Sequence, residues 1–514
     1  MKTIEKISVD CGNPDEKNDQ KTGNISDNDQ RICDISNIEI DGITLDSRKV
    51  KEGFMFVCIK GLETDGHRYI DKAVEAGAAA IVYCEPLGNF ACTSQERKVC
   101  YIKVEDTVGE LAAAANVFYD DPSSHLKMFA VTGTNGKTTT SSIISDVFSH
   151  CKPCGYMGTI AVKYGNTTKK TSLTTPDPVE IQSNLAEMRD NGMKAAAMEV
   201  SSHGLAMRRT RAIDFDCAIF TNLTYDHLDY HKTMENYFEA KKILFKELKS
   251  SAVAVLNRDD EKTFDALVAC TGAKCVSYGI DNEADYSAID LVLKKDGSEF
   301  TLRHAGKEYR IKTNLIAKYN IYNLLAAVAA MKECGMDIEE MIPYLNKIPQ
   351  VAGRMDVVNL GQAYRVIVDY AHTPDGFEKI FEYAREVVEP DSNIYAVFGS
   401  AGKRDRKKRS VLGEIAGKSA NLVLVTEEDP RNESADGIAE EIIRGVKKSG
   451  GKAVKILDRR TAINYAVDMA KPGDMILILG KGTEDYMAYE DGKRAWDGDL
   501  KVASDRVKMR MSAK

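Results

Sequence analysis

The sequence predicts an α/β chain of three domains, and three observations predict it. Apolar strands alternate with amphipathic helices in two separate long blocks, the pattern of doubly wound parallel sheets. One strand, "KMFAVTG", runs straight into a glycine-rich loop and a helix. Between the two blocks, "DLVLKKDGSEFTLRHAGKEYRIKT" alternates polar and apolar residues around Asp296-Gly297, which marks an antiparallel hairpin region added to the first sheet.

In chain order, residues 1–36 are polar, rich in Asp and Asn and aperiodic, and read as a disordered tail. Residues 37–122 form a small α/β domain. Its strands are "MFVCIK" and "AAIVYC", with the helix "YIDKAVEAGA" between them. Residues 123–350 form the central domain, with strands "KMFAVTG", "KAAAMEV", "CAIFTN" and "AVAVLN", the hairpin region and a closing helix "NIYNLLAAVAAMKECG". Residues 351–514 restart the alternation with "RVIVDYA", "IYAVFGS", "NLVLVTE", "AVKILD" and "MILILGKG", separated by helices such as "GIAEEIIRGVKKSG". Two α/β domains joined end to end suggest a ligand cleft between them.

The bulk numbers exclude several classes. The 514 residues carry 70 Lys+Arg against 78 Asp+Glu, a net charge of -8, so a phosphate-backbone partner is not expected. No apolar run of ~18 residues predicts a membrane span, and the N-terminus lacks a secretory apolar core, so the cytoplasm is the expected compartment. The 12 cysteines, with 43% hydrophobic residues around them, read as free thiols of a reducing compartment. Cys151 and Cys154 form one close pair, which has no second ligand pair to make a metal site.

The loop Gly133-Thr134-Asn135-Gly136-Lys137-Thr138-Thr139 is a shortened phosphate loop, G-x-x-G-K-T in place of the longer Walker spacing. Two glycines let the backbone approach an anion, and the helix behind offers free N–H groups and a positive dipole end. Lys137 can reach β- and γ-phosphates, and Thr138 can place its hydroxyl on Mg²⁺. Such a loop serves a switch GTPase, a kinase or a ligase. No switch or base-reading elements are visible, and the other motifs must decide. Glu199 ends the strand "KAAAMEV", at the end of a strand where a carboxylate can hold Mg²⁺. Asn222, Asp226, His227, Asp229 and His231 crowd into ten residues of a chain with only 8 histidines, which favours a metal role for His227.

Taken in order, "TGTNGKTT", "EVSSHGL", "TNLTYDHLDYH" with "EAKK", "NIYNLLAA", "GRMDVV", "VDYAHTPDG", "FGSAGKRDRKKR" and "GKGTEDY" resemble the Mur ligases, ATP-dependent amide-bond-forming enzymes of peptidoglycan precursor synthesis. The resemblance runs from about Ile40 to the C-terminus. "LDSR" and "DGHRYI" point to the MurE type, which adds the third residue to UDP-N-acetylmuramoyl-L-alanyl-D-glutamate.

The resemblance implies a UDP-binding first domain, a central P-loop ATPase and a Rossmann-like C-terminal domain. It implies that Ser47 contacts the UDP moiety and that Thr174, Thr175, Ser201 and Arg209 hold the muramoyl-dipeptide. Asn320, Asn323, Arg354 and Asp369 then join Gly133 to Thr139 around ATP. It implies that Lys241 is carbamylated by CO₂ and, with Thr138, Glu199 and His227, holds Mg²⁺. It places the incoming amino acid against Arg404, Glu428, Asp429, Arg431, Gly480 and Glu484. Arg431 suits the distal carboxylate of meso-diaminopimelate, and Asp429 suits the plain ammonium of L-lysine; the first is favoured. The alternatives are another Mur step or a folylpolyglutamate synthetase-like ligase, and, from a different class, a non-catalytic ATP-binding regulator.

Overall fold

The computed structural model describes residues 2–3, 39–61, 64–85 and 99–513. Residues 4–36 of the expected tail lie outside them, while Lys2–Thr3 pair antiparallel with Glu39–Ile40. The chain forms two compact units, residues 1–128 with 157–215, and residues 129–156 with 216–514.

The first unit opens with a parallel sheet of four strands in sequence order, Gly42–Thr44, Phe54–Val57, Ala80–Tyr83 and Cys100–Lys103. Short β-branched and aromatic runs make these strands, and both faces are covered. Leu111 and Ala114 of helix Thr107–Phe118 close one side. Ile70, Ala73 and Val74 of helix Ile70–Glu75 close the other. Asp106 caps the longer helix by accepting from the Val108 and Gly109 amides. The rest of the unit contains the hairpin Val162–Tyr164/Thr167–Lys169, helix Pro178–Asp190, strand Ala195–Glu199 and the short helix Ser202–Ala206.

In the second unit, strand Phe129–Thr132 pairs parallel with Cys217–Phe220, followed by Val253–Asn257 and Lys274–Gly279. The strands are apolar at nearly every position because helices cover both faces. Strand Tyr286–Lys294 joins parallel to Lys274–Gly279, and Gly297–His304 and Lys307–Thr313 then continue the same sheet antiparallel, with Lys294 opposite Gly297 at the expected turn. Helix Lys318–Glu333 is buried along nearly its whole length and carries Asn320 and Asn323 inward.

A second sheet in this unit has the order Asp356–Val358, Arg365–Asp369, Met475–Leu479, Ile394–Phe398, Leu422–Val425, Ala453–Lys455; only the first pair is antiparallel. Each of its five parallel strands was legible as an apolar run. Helices Pro374–Val387, Lys407–Ser419 and Ala435–Lys448 pack one face, and Arg459–Met469 and Asp499–Ser512 pack the other. Arg459 and Asp499 join the last two helices through a fully buried two-pronged ion pair, 2.8 and 2.6 Å. All nine described cysteines are free, and no described helix is long and apolar enough to cross a membrane.

Candidate active site

The phosphate loop is shaped by backbone that only glycine tolerates. Gly133 and Gly136 have φ of 147° and 90°. A Cβ on Gly133 would lie 1.8 Å from Thr221 Oγ1, and one on Gly136 would lie 2.3 Å from Asn323 Oδ1. Both glycines are therefore required by conformation and by space. Neighbouring loops fix the curve. The Thr134 amide donates to Asn222 O at 2.9 Å, the Asn135 amide donates to Asn222 Oδ1 at 3.0 Å, and the Thr221 hydroxyl donates to Asn135 O at 2.6 Å.

Two lysines converge on one carbonyl. Lys137 Nζ donates to Gly133 O at 2.9 Å and Thr134 O at 2.8 Å. Lys241, from helix Met234–Lys246, donates to the same Gly133 O at 2.7 Å. Lys241 is buried, and its Nζ sits 4.5 Å from the centre of the Tyr237 ring. Burial, and then the adjacent Lys137 charge, hold the Lys241 ammonium well below the ordinary lysine range, against the opposing pull of Asp226. That shift moves Lys241 toward its neutral form beside the phosphate loop.

The Asp226–Asp229 loop lies beside them. His227 is in the left-handed region at φ 56°, its Nε2 is 3.3 Å from Asp226 Oδ2, and about a third of its side chain is exposed. Burial raises the Asp226 carboxyl, but the charges of His227, His372 and Lys408 outweigh it and bring it down to about 2. His372 approaches the same carboxylate at 3.8 Å; burial and the Lys408 charge push its imidazole down to about 4.

The second sheet's loops meet this region directly. Arg354 Nη2 donates to Thr138 Oγ1 at 3.2 Å while its guanidinium stacks 4.6 Å from the centre of the Tyr370 ring. Asn135 Nδ2 donates to Asp375 Oδ2 at 2.8 Å, and the Tyr225 hydroxyl donates to Asp405 Oδ2 at 2.5 Å. Arg404 is 3.8 Å from Asp229. A crevice of about 450 Å³ runs from Thr139 and Asn320 past Arg354 and Met355 to Val358 and Tyr364. Asn323 donates to Asn320 Oδ1 at 3.1 Å, which fixes both amides beside the loop. Asp369 is buried and gives both carboxylate oxygens to backbone, Met355 N at 2.6 Å and Ala371 N at 2.7 Å. It holds the turn that aims Arg354.

Along the same C-terminal edge of this sheet, Glu428 is buried, and burial pushes its carboxyl up. Gly480, at φ 104°, leaves room for it; a Cβ there would come within 2.2 Å of Glu428 Oε2. Asp429 Oδ1 accepts from Lys481 Nζ at 2.8 Å and from the Ala488 amide at 2.9 Å. Lys481 also donates to Glu484 Oε2 at 2.5 Å, and Arg431 Nη1 donates to Gly402 O at 2.5 Å.

In the first unit, Thr174, Thr175, Ser201 and Arg209 form one cluster with Glu199 and Thr159, and Ser47 lies apart from it. The buried Glu199 carboxylate accepts from the Thr159 amide at 2.8 Å and the Thr159 hydroxyl at 3.0 Å. Thr159 Oγ1 lies 3.0 Å from Thr174 Oγ1. The Thr175 hydroxyl donates to Glu199 O at 3.0 Å and accepts from the Ser201 amide at 2.9 Å, and Arg209 Nη1 donates to Thr175 O at 2.7 Å. Ser47 is buried in the turn Asp46–Lys49 after the first strand.

Sequence reasoning missed Thr221, Tyr225, His372, Asp375, Asp405, Lys408 and Lys481 as parts of the site. Lys408 is a buried cation whose charge reaches Asp226, His372 and Glu428. The basic run "KRDRKKR" hid it among surface-like neighbours.

A glycine-cradled phosphate loop, two lysines and a crevice lined by asparagine and arginine have the form of a nucleotide site of the phosphate-loop class. Models of the Mur ligase family match the chain in three places: the family's catalytic domain at residues 39–119, the middle domain at 131–331 and the glutamate ligase domain at 353–482. A UDP-N-acetylmuramoyl-L-alanyl-D-glutamate–2,6-diaminopimelate ligase of Bacillus cereus is 40% identical over 93% of this chain and 96% of its own length. The enzyme of the same name from Syntrophomonas wolfei is 40% identical over 91% of this chain and 95% of its own. A solved structure of a ligase of that name superposes with a TM-score of 0.66 at 29% identity, covering 99% of each chain. The MurF ligase of Thermotoga maritima with ADP, at 20% identity and TM-score 0.65 over 93% and 98% of the two chains, shares the fold. The chain belongs to the Mur ligase family.

Proposed function

We propose that the enzyme joins meso-diaminopimelate to the D-glutamyl carboxylate of UDP-N-acetylmuramoyl-L-alanyl-D-glutamate. The observation that carries the ligase chemistry is the convergence of Lys137 and Lys241 on Gly133 O beside Thr138. Full-length similarity to diaminopimelate ligases supports the choice of substrates. A nucleotide-linked precursor and ATP are met in the cytoplasm, where this reading puts the enzyme.

The γ-phosphoryl group of ATP passes to the substrate carboxylate, giving an acyl phosphate and ADP. The amino group of the acceptor attacks the acyl carbon, and phosphate leaves with the new amide formed. Catalysis is mainly positioning and charge neutralisation. The loop amides and Lys137 hold the phosphates, and the Thr139–Asn320–Arg354 crevice takes the nucleoside. Thr174, Thr175, Ser201 and Arg209 orient the dipeptide, and Ser47 meets the UDP end. The bridges from Tyr225, Asn135 and Thr138 to the second sheet's Asp405, Asp375 and Arg354 keep water from the acyl phosphate.

The fit to Mg²⁺ turns on Lys241. As an ammonium it repels a divalent cation, and among the described residues no group of three or more His, Cys, Asp or Glu side chains could hold a metal ion. As a neutral amine, the form its burial favours, it reacts with CO₂ to give a carbamate and a proton. The carbamate oxygens, with the Thr138 hydroxyl and His227, then make an oxygen-rich donor set. Glu199 lies in the first unit, where its carboxylate accepts from Thr159, and only its motif suggests a metal role. Mg²⁺ held there by Thr138, His227 and the Lys241 carbamate would supply positive charge to the phosphates.

The test is phosphate release from ATP with the UDP-dipeptide and, separately, diaminopimelate, lysine or ornithine. Release that requires the UDP-dipeptide and is fastest with diaminopimelate is expected. ATP bound with no phosphate released under any of these conditions would leave the non-catalytic ATP-binding regulator as the better reading.

A further inference from the structure

The acceptor end of the second sheet holds a buried charge arrangement that the ligase chemistry alone does not require. Lys481 is fully buried and lies between two carboxylates, Asp429 Oδ1 at 2.8 Å and Glu484 Oε2 at 2.5 Å. The two acids differ. The Asp429 side chain is nine-tenths buried, and its bonded oxygen is also held by the Ala488 amide. About a quarter of the Glu484 side chain is exposed. Asp429 and Arg431 flank Pro430 with left-handed φ values of 31° and 53°. Both are braced on one segment: the Ala488 amide donates to Asp429, and the Arg431 amide donates to Ala488 O at 2.9 Å. Arg431 is thus presented two residues from a carboxylate of opposite sign.

An unmasked Asp429 would compete with Arg431. It would repel a carboxylate approaching the guanidinium and attract a plain ammonium in its place. A buried ion pair cancels that field, and removing one partner leaves an uncompensated buried charge. We infer that Lys481 determines acceptor specificity: by pairing with Asp429 it withdraws that carboxylate from the acceptor pocket, so that Arg431 selects an amino acid bearing a second carboxylate. The more exposed Glu484 remains to receive the acceptor's ammonium. This rests on the reading of residues Glu428–Arg431 as the acceptor pocket.

The experiment compares kcat/KM for meso-diaminopimelate and L-lysine in the wild type, Lys481→Met, Asp429→Asn and the double variant. Lys481→Met is expected to lower the diaminopimelate-to-lysine ratio about tenfold or more, and the double variant to return it to within about threefold of wild type. Asp429→Asn alone removes a negative charge while keeping an oxygen for Lys481, and is expected to raise the ratio about threefold. An unchanged ratio in Lys481→Met, or a double variant no better than the single, overturns the inference. Should Lys481→Met turn over neither acceptor, the Asp429→Asn ratio decides, and an unchanged or lowered ratio there overturns it. A wild type inactive with both acceptors would instead remove the acceptor reading, a result distinct from all of these.

Discussion

The phosphate loop and the acceptor end solve opposite electrostatic problems. At Gly133 two lysine side chains donate to one carbonyl beside the loop, an arrangement suited to an incoming anion. At Lys481 one cation is already saturated by two carboxylates. The first site spends stability to hold a charged substrate; the second is neutralised internally and selects through what it leaves unpaired. The contrast shows how one chain can bind a polyanion at one point and discriminate between similar amino acids at another.

Removing a cation at the loop should have the largest effect. Lys137→Ala is expected to lower ATP-dependent ligation by more than about a thousandfold while circular dichroism and the melting temperature stay near wild type. Retained turnover would count against the loop assignment. Lys241→Met sharpens the contrast further. It should reduce ligation at least about a hundredfold, yet raise the apo protein's melting temperature, because it replaces a buried amine with an apolar side chain of similar length. The sign follows from linkage. A lysine whose folded pKa is depressed binds fewer protons folded than unfolded, so its cost is greatest below the folded pKa and fades as pH rises towards the unfolded value. The stabilisation by Lys241→Met should accordingly shrink in alkaline buffer. A variant less stable than wild type at neutral pH would show that Gly133 O needs that donor more than the core resents the charge.

These two lysines also show what was legible in the sequence. Lys137 lies in a contiguous motif whose strand, glycines and helix all appear in one stretch, so chemistry and fold were read together. Lys241 sits beside Lys242 in an ordinary amphipathic helix, and only the family resemblance singled it out; its burial follows from tertiary packing, which composition does not encode. The parallel strands were legible because helices on both faces demand continuous apolar runs. Pairings such as Asp429 with Lys481 and Tyr225 with Asp405 join segments far apart in the chain, and nothing local announces them. Asp369 is instructive in the same way. Its motif pointed to the nucleotide, and in the structure its oxygens hold the backbone at Met355, next to Arg354, and at Ala371.

Smaller effects separate stability from selection in the second sheet. Asp499→Ala strands the buried Arg459 guanidinium and is expected to cost about 3–5 kcal/mol by denaturant unfolding, with the acceptor preference unchanged. A loss under about 1 kcal/mol would mean that water reaches Arg459. Glu428→Gln should give a small gain in stability that depends on pH. Burial raises the Glu428 carboxyl, so the folded state keeps a proton that the unfolded state has released, and wild-type stability falls as pH rises from the ordinary carboxylate range through the raised value. The variant should match wild type in acid and exceed it at neutral pH; an excess that grows in acid would reverse the assignment.

The central claim is that phosphoryl transfer at the loop activates the dipeptide's own carboxylate. The most direct measurement uses UDP-N-acetylmuramoyl-L-alanyl-D-glutamate carrying heavy oxygen in its terminal carboxylate, with mass analysis of the phosphate released during ligation. An acyl phosphate predicts heavy oxygen in the phosphate, carried over when the amine displaces it. Phosphate free of the label, with product still formed, would contradict the account.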